Sequence, residues 1–161
     1  MATGSELHAW LSEDHRKELT ALQRDQVVPA GTRLVVPGIP PEHLAILKSG
    51  AAEISLQTNG GFVPLGLAGP GSVFDLRAIV CDEMPGVEVV CREQCVVSLV
   101  PREEFTQFLK RRPGAYFAVA KVLSSDLRTA DNTLRQLLMA STRGGKRSHA
   151  GYFRPASASA Q

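Results

Sequence analysis

The 161-residue sequence predicts a mainly β protein: an antiparallel sandwich or barrel of short strands, flanked by helices and followed by one long C-terminal helix. Three observations predict it. From Val27 to Pro101, short apolar stretches alternate with glycine and proline at steady intervals, the texture of many short strands joined by tight turns. On either side of that stretch the apolar spacing becomes helical. From Tyr116 to Leu137, apolar residues recur at alternating steps of four and three, the seam of a helix that pairs along its length.

In chain order, Leu7, Trp10, Leu11, Leu19 and Leu22 lie among charges and predict one or two amphipathic helices before residue 26. Ser12, followed by Glu13, Asp14 and His15, marks a helix start, because the hydroxyl meets free N–H groups and the acids complement the helix dipole. The strand stretches then run Val27-Val28, Leu34-Val35-Val36, Leu44-Ala45-Ile46-Leu47 and Ala52 to Leu56. Asn59-Gly60-Gly61 offers a hairpin turn, since these residues tolerate the positive φ of a primed turn. Phe62 to Leu67, Val87 to Val90 and Cys95 to Val100 supply further strands, with prolines beside them at edges or corners. Pro101, Arg102, Glu103 and Glu104 open a short helix through Phe105, Phe108 and Leu109, which Pro113-Gly114 breaks. The long helix carries Tyr116, Ala120, Leu123, Leu127, Ala130, Leu134 and Leu137 on its seam. Phe117, Val119 and Val122 give it a second apolar side near its start, so one side covers the β region while the seam meets a second copy of the chain. Gly144-Gly145 ends it. The predicted organisation is one domain over residues 5–140 (helices over 5–26, a barrel over 27–101, helices over 102–140) and a flexible basic tail over 141–161.

Composition narrows the function. With 43% apolar and 21% charged residues, the chain reads as globular rather than disordered. Its apolar runs are short, Ser98 interrupting Val96 to Val100, so no membrane span is expected. Glu6, Glu13, Asp14 and Glu18 occupy the first twenty residues with no basic cluster ahead of an apolar block, which does not read as a secretory signal. Three cysteines, an odd and sparse set, fit a reducing interior and a cytoplasmic location. The net charge of +2 hides an asymmetry: Arg143, Lys146, Arg147 and Arg154 sit in a tail without acids, leaving 14 basic and 16 acidic side chains before it. A mildly acidic body gives no general electrostatic reason to bind nucleic acid.

No catalytic pattern is present. The sequence lacks G-x-S-x-G and G-x-x-x-x-G-K, and no pair of carboxylates is forced into one cleft. Ser124-Ser125-Asp126 and Asp131-Asn132 read as solvent-facing helix surface, and no enzyme activity is expected. His8, His15, His43 and His149 show no metal-ligand spacing, and Cys81, Cys91 and Cys95 are too few for four-thiolate ligation, so no metal is expected. Cys91 and Cys95, four apart, point the same way on one regular strand and read as buried structural thiols. A haem or thiol redox sensor using Cys91 or His43 is the alternative.

The ordered set of turns and elements resembles a known family. Pro29-Ala30-Gly31-Thr32, Gly38, Leu44 to Gly50, Leu67-Ala68-Gly69-Pro70-Gly71-Ser72-Val73-Phe74, Val96 to Phe105, and Leu109 with Arg112-Pro113 together resemble the cyclic nucleotide-binding domain of the cyclic-AMP receptor protein and FNR-type regulator superfamily. The resemblance covers roughly residues 7 to 140. It implies an eight-stranded jelly roll, a double-stranded β-helix, followed by a long dimerisation helix, with Gly31, Gly38, Gly50 and Gly71 at sharp corners.

The same resemblance identifies a ligand cassette and shows where this chain departs from it. In members that bind a cyclic nucleotide, a Gly-Glu pair begins the short helix after the Gly-x-Phe turn, and the glutamate takes the ribose. An Arg-Ser or Arg-Thr pair before the next strand takes the phosphate, and the long helix reads the base. Aligned on Gly71 and Phe74, Asp75 stands in place of the glycine and Leu76 in place of the glutamate. Pro85 and Gly86 stand in place of the arginine and its hydroxyl partner, and Ala130 and Asp131 occupy the base-reading positions. A one-residue shift puts Asp75 in the glutamate's role without restoring an arginine. Arg77 lies one step further along the short helix, within approach of an anion, and Arg92 is the nearest other basic residue after the loop. Without a fixed guanidinium, a phosphate loses charge-assisted hydrogen bonds worth ~1.5–3 kcal/mol, so cyclic nucleotide binding is disfavoured and no cofactor is expected. The family's regulators carry a helix-turn-helix domain after the dimer helix, and the twenty-one residues here cannot form one. The expectation is a homodimeric, non-enzymatic regulatory module acting through an unidentified protein or small-molecule ligand, without membrane or DNA contact. The alternative is a DNA-binding regulator, or a piece of one, responding to a cyclic nucleotide.

Overall fold

The computed structural model describes residues 7–144. Eight strands form two four-stranded antiparallel sheets, and the helices gather at one side of them. The elements are α1 (Leu7–Trp10), α2 (Glu13–Leu22), β1 (Arg24–Val28), β2 (Arg33–Val35), β3 (His43–Ser49), β4 (Ala52–Thr58), β5 (Gly61–Ala68), β6 (Val73–Phe74), α3 (Leu76–Cys81), β7 (Val87–Cys91), β8 (Cys95–Pro101), α4 (Arg102–Arg111) and α5 (Ala115–Gly144). One sheet runs β1-β8-β3-β6 and the other β2-β7-β4-β5. Apart from the β4–β5 hairpin, consecutive strands fall in different sheets, so the chain crosses repeatedly between layers, the jelly-roll arrangement.

The first helices follow from local chemistry. The Ser12 hydroxyl accepts the His15 N–H at 3.3 Å, with Glu13 and Asp14 in the first turn of α2. β1 begins at Arg24, three residues ahead of the expected Val27, because pairing with β8 from Arg24↔Leu99 onward outweighs the polar character of Arg24, Asp25 and Gln26. The buried Ser98 hydroxyl donates to the Asp25 carboxylate across that pair.

Two apolar clusters hold the fold. The interior between the sheets contains Val35, Ala45, Leu47, Ala52, Phe74, Val89, Cys91, Cys95 and Val97. The second cluster lies between one sheet and the helices and contains Leu7, Leu19, Leu44, Leu76, Ile79, Val100, Phe105, Phe108, Ala118 and Val122. β3 serves both: Ala45 and Leu47 face the interior while Leu44 faces the helices. A strand covered on both faces reads as an unbroken apolar run, which is why Leu44 to Leu47 shows no alternation. Phe105, Phe108 and Leu109 bury one face of α4, and Glu18 of α2 accepts Arg111 Nη2 at 3.1 Å and Arg112 Nε at 2.7 Å.

Gly50 shows why a corner needs glycine. Its φ is +93°, and a Cβ there would stand 2.6 Å from Cys95 Sγ and 2.9 Å from the Gln94 carbonyl. Three sequence expectations need correction. Cys91 and Cys95 do not share a strand; Cys91 closes β7 and Cys95 opens β8, and the residues between them carry the chain from one sheet to the other. Phe117 does not join Val119 and Val122 on the core side: it is 63% exposed, and Ala115 and Ala118 complete the buried face. At about 100° per residue Phe117 lies nearly opposite Val119 on the helix. His43, expected to precede a strand, is the first residue of β3 and pairs with Pro101.

Candidate functional site

The turn at residues 71–77 is built from β3 outward. Gly71 N–H donates to the Leu47 carbonyl at 2.8 Å, and Leu47 N–H donates to the Ser72 carbonyl at 2.9 Å, pinning the turn against β3. β6 then pairs Val73 with Ile46 and Phe74 with Ala45, and Phe74 is buried in the interior. The next residue, Asp75, has φ 68° and ψ 7°, the left-handed region. Its carbonyl accepts Ile79 N–H at 3.0 Å, while its carboxylate caps nothing. Burial pushes that carboxyl up from 3.8 to about 6.

α3 is one short amphipathic turn and a half. Leu76 and Ile79 enter the helix-side cluster, and Arg77 points outward, paired with Glu83 at 2.9 Å. The far end is held by Arg102, whose Nη2 meets Asp82 Oδ1 at 2.6 Å. Gly71, Phe74, Asp75, Leu76 and Arg77 are thus brought together in one turn, but only the Asp75 carboxyl is both partly buried and free of a cap. Leu76 is a core residue, 3% exposed.

The other expected positions differ in kind. The Pro85 carbonyl accepts Gly38 N–H at 3.1 Å and the Gly86 carbonyl accepts Gln57 N–H at 3.3 Å. Neither side chain carries a donor. Ala130 and Asp131 are exposed on α5, and Asp131 pairs with Arg135 at 3.1 Å. Ala130 lies fifteen residues past Ala115, about 22 Å along the helix. Arg92, at the β7–β8 turn, pairs with Glu53.

The seam of α5 is uncovered within the single chain. Leu127 is 73% exposed and Leu134 and Leu137 are each 57% exposed, whereas Val119 and Val122 on the adjoining face are buried. Tyr116, Ala120 and Ala130 are exposed too, and only Leu123 leans on the helix-side cluster.

Cys91 and Cys95 are buried and Cys81 is exposed, all three as free thiols. Cys95 Sγ stands 3.3 Å from the Glu93 carbonyl, and burial with the neighbouring Cys95 thiol pushes Cys91 up to about 11. Such a thiol stays protonated and unreactive near neutrality. Among the described residues no three His, Cys, Asp or Glu side chains gather as metal ligands, and no helix is long and apolar enough to cross a membrane.

Two features escaped the sequence reading. The Ser72 hydroxyl is buried without a hydrogen-bond partner. An open cleft of about 230 Å³ is lined by His8, Ile46, Leu47, Lys48 and Gly71. No spacing rule joins residues 8, 48 and 71; only the tertiary fold brings α1, β3 and the turn to one cleft.

A two-layer jelly roll with a turn and short helix against its third strand, and a long helix leaving the domain, is the architecture of a cyclic nucleotide-binding-like domain. The family model described as "Cyclic nucleotide-binding domain" matches residues 25–112, and the chain belongs to that family. No curated protein sequence matches it. Among solved structures it is similar to the Thermus thermophilus catabolite activator protein, with TM-score 0.71 and 22% identity over 86% of this chain and 65% of that one. It is similar to the c-di-GMP responsive global regulator CLP of Xanthomonas campestris, with TM-score 0.67 and 18% identity over 81% of this chain and 65% of that one. It is also similar to the regulatory subunit of a cAMP-independent protein kinase A from Trypanosoma brucei, with TM-score 0.66 and 16% identity over 84% of this chain and 48% of that one. The chain therefore spans just under two thirds of the two bacterial regulators.

Proposed function

We propose that the chain is a homodimeric regulatory module whose phosphate-binding turn has lost the groups that grip a cyclic mononucleotide, and which acts through another ligand or a protein partner. The observation that carries this reading is the start of α3. Asp75 holds the left-handed backbone that a glycine would take, which supports the alignment on Gly71 and Phe74. A carboxylate at that point repels a phosphate, Leu76 is spent on the core, and Pro85 and Gly86 offer no guanidinium or hydroxyl. The similarity to a kinase regulatory subunit described as cAMP-independent is in keeping with this reading.

Dimerisation rests on the α5 seam. Three exposed leucines at steps of seven and three gain about 1.5–3 kcal/mol each when fully covered, and a second copy of the same helix covers them with matching spacing. The likeness to the catabolite activator protein favours a second reading, in which the chain is the sensor part of a longer DNA-binding regulator that responds to a cyclic nucleotide.

Sedimentation equilibrium and thermal melts test both readings. The proposal expects a concentration-dependent dimer whose Tm does not move with cyclic AMP, cyclic GMP or a cyclic dinucleotide at about 1 mM. A ligand at 100 times its Kd stabilises by about 2.7 kcal/mol. A rise of several degrees with a cyclic mononucleotide therefore supports the second reading and rejects the first.

A further inference from the structure

We infer that the cleft between α1 and the end of β3 is a binding site for a small anion bearing a phosphate or carboxylate group, held by His8 and Lys48. The site shares only Gly71 with the turn at 71–77 and lies apart from the α5 seam, and its charged groups, His8 and Lys48, belong to neither, so it stands or falls apart from the proposed function.

The cleft is a fixed feature. Leu7 and Leu11 of the α1 region are buried, and the Arg16 guanidinium closes the end of α1 by donating to the His8 carbonyl at 3.1 Å and the Leu11 carbonyl at 3.3 Å. His8 is thereby held at the cleft wall, with its Nε2 2.9 Å from Gln23 Nε2. An amide nitrogen only donates, so His8 Nε2 accepts and the ring proton sits on Nδ1. Lys48 enters from β3 and Gly71 from the turn, where the absent side chain leaves room. The volume of about 230 Å³ corresponds to about seven water molecules, enough for a small anion and its residual shell.

The charge around the cleft has one sign. Ile46, Leu47 and Gly71 carry none, and among the described residues no carboxylate lines it. The charged groups that act on His8 are Lys48 from β3 and Arg16 from α2, both cations; together with burial they hold its imidazole below the ordinary histidine range. The site thus has one standing cation and a second that forms only when an anion offsets the repulsion and the Gln23 amide turns its oxygen to accept from the newly protonated Nε2. An anion in the cleft and a proton on His8 favour one another reciprocally.

Nuclear magnetic resonance titration of the whole chain reads this directly. His8 is followed against pH in chloride buffer and again, at equal ionic strength, with inorganic phosphate or with acetate. The expected result is a saturable shift at His8, Lys48 and Gly71, with the His8 midpoint raised by about half a pH unit, equivalent to about threefold tighter binding by the protonated form. Saturation by phosphate alone assigns a phosphate ligand, and saturation by acetate assigns a carboxylate. Lys48→Ala changes an exposed side chain, leaves the fold intact and is expected to weaken binding about fivefold or more. Shifts that do not saturate, or a His8 midpoint that moves no more than those of His15 and His43, overturn the inference. So does unchanged binding in Lys48→Ala.

Discussion

Replacing Asp75 with Asn removes a charge while keeping the shape and the tolerance for left-handed backbone that the position requires. The wild-type carboxyl is raised by burial from 3.8 to about 6. An acid whose folded value lies above its unfolded value favours the folded state at low pH. Stability is then lost as pH climbs through the window from 3.8 to about 6, and is level above it. At about 1.4 kcal/mol per pH unit this window corresponds to about 3 kcal/mol, and solvent reaching the partly exposed carboxyl reduces it to about 1–2 kcal/mol. Asp75→Asn is therefore expected to raise Tm by about 3–6 °C at pH 7.5 and to leave it unchanged near pH 4. The assay is a pair of thermal or urea unfolding series from pH 4 to 8. Parallel curves for the two proteins would refute the reasoning, because they would mean that the carboxyl is solvated in the folded state and does not guard the turn.

Other substitutions probe the frame around that turn. Gly50→Ala forces a side chain into a φ of +93° and against Cys95 Sγ, and calorimetric unfolding should register a loss of about 2–4 kcal/mol. Ser72→Ala deletes a buried hydroxyl that has no partner and is expected to be neutral or to stabilise by up to about 1 kcal/mol; a clear loss in urea midpoint would reveal a bond that the geometry lacks. Leu127→Asp places charge on the uncovered seam, so sedimentation should report a monomer whose circular dichroism and Tm at low concentration stay near those of the dissociated wild type.

The fold was legible because its determinants are local. Ser12 announces α2, Asn59-Gly60 turns β4 into β5 (with positive φ at Gly61 alone instead of the expected primed turn), and the steps from Tyr116 to Leu137 mark one continuous helix, all readable from neighbours in sequence. Glycines 31, 38, 50 and 71 all adopt positive φ, as their corner positions require. What was not legible depends on partners far along the chain. Arg24 to Gln26 joins β1 because β8 is there to pair with it, and Cys91 and Cys95 separate because the turn between them changes sheets. At the site, the left-handed conformation of Asp75 follows from the glycine alignment, but its shifted carboxyl follows only from burial. The cleft of His8, Lys48 and Gly71 had no sequence signal, since three distant segments build it.

The most direct measurement is a calorimetric titration of the intact protein with cyclic AMP at pH 7.5, where the Asp75 carboxylate is charged. The prediction is no saturable heat up to about 1 mM, a binding free energy weaker than about 4 kcal/mol. A one-per-chain isotherm with a low-micromolar Kd would contradict it, and would mean that this turn grips the cyclic phosphate without the guanidinium and the glutamate.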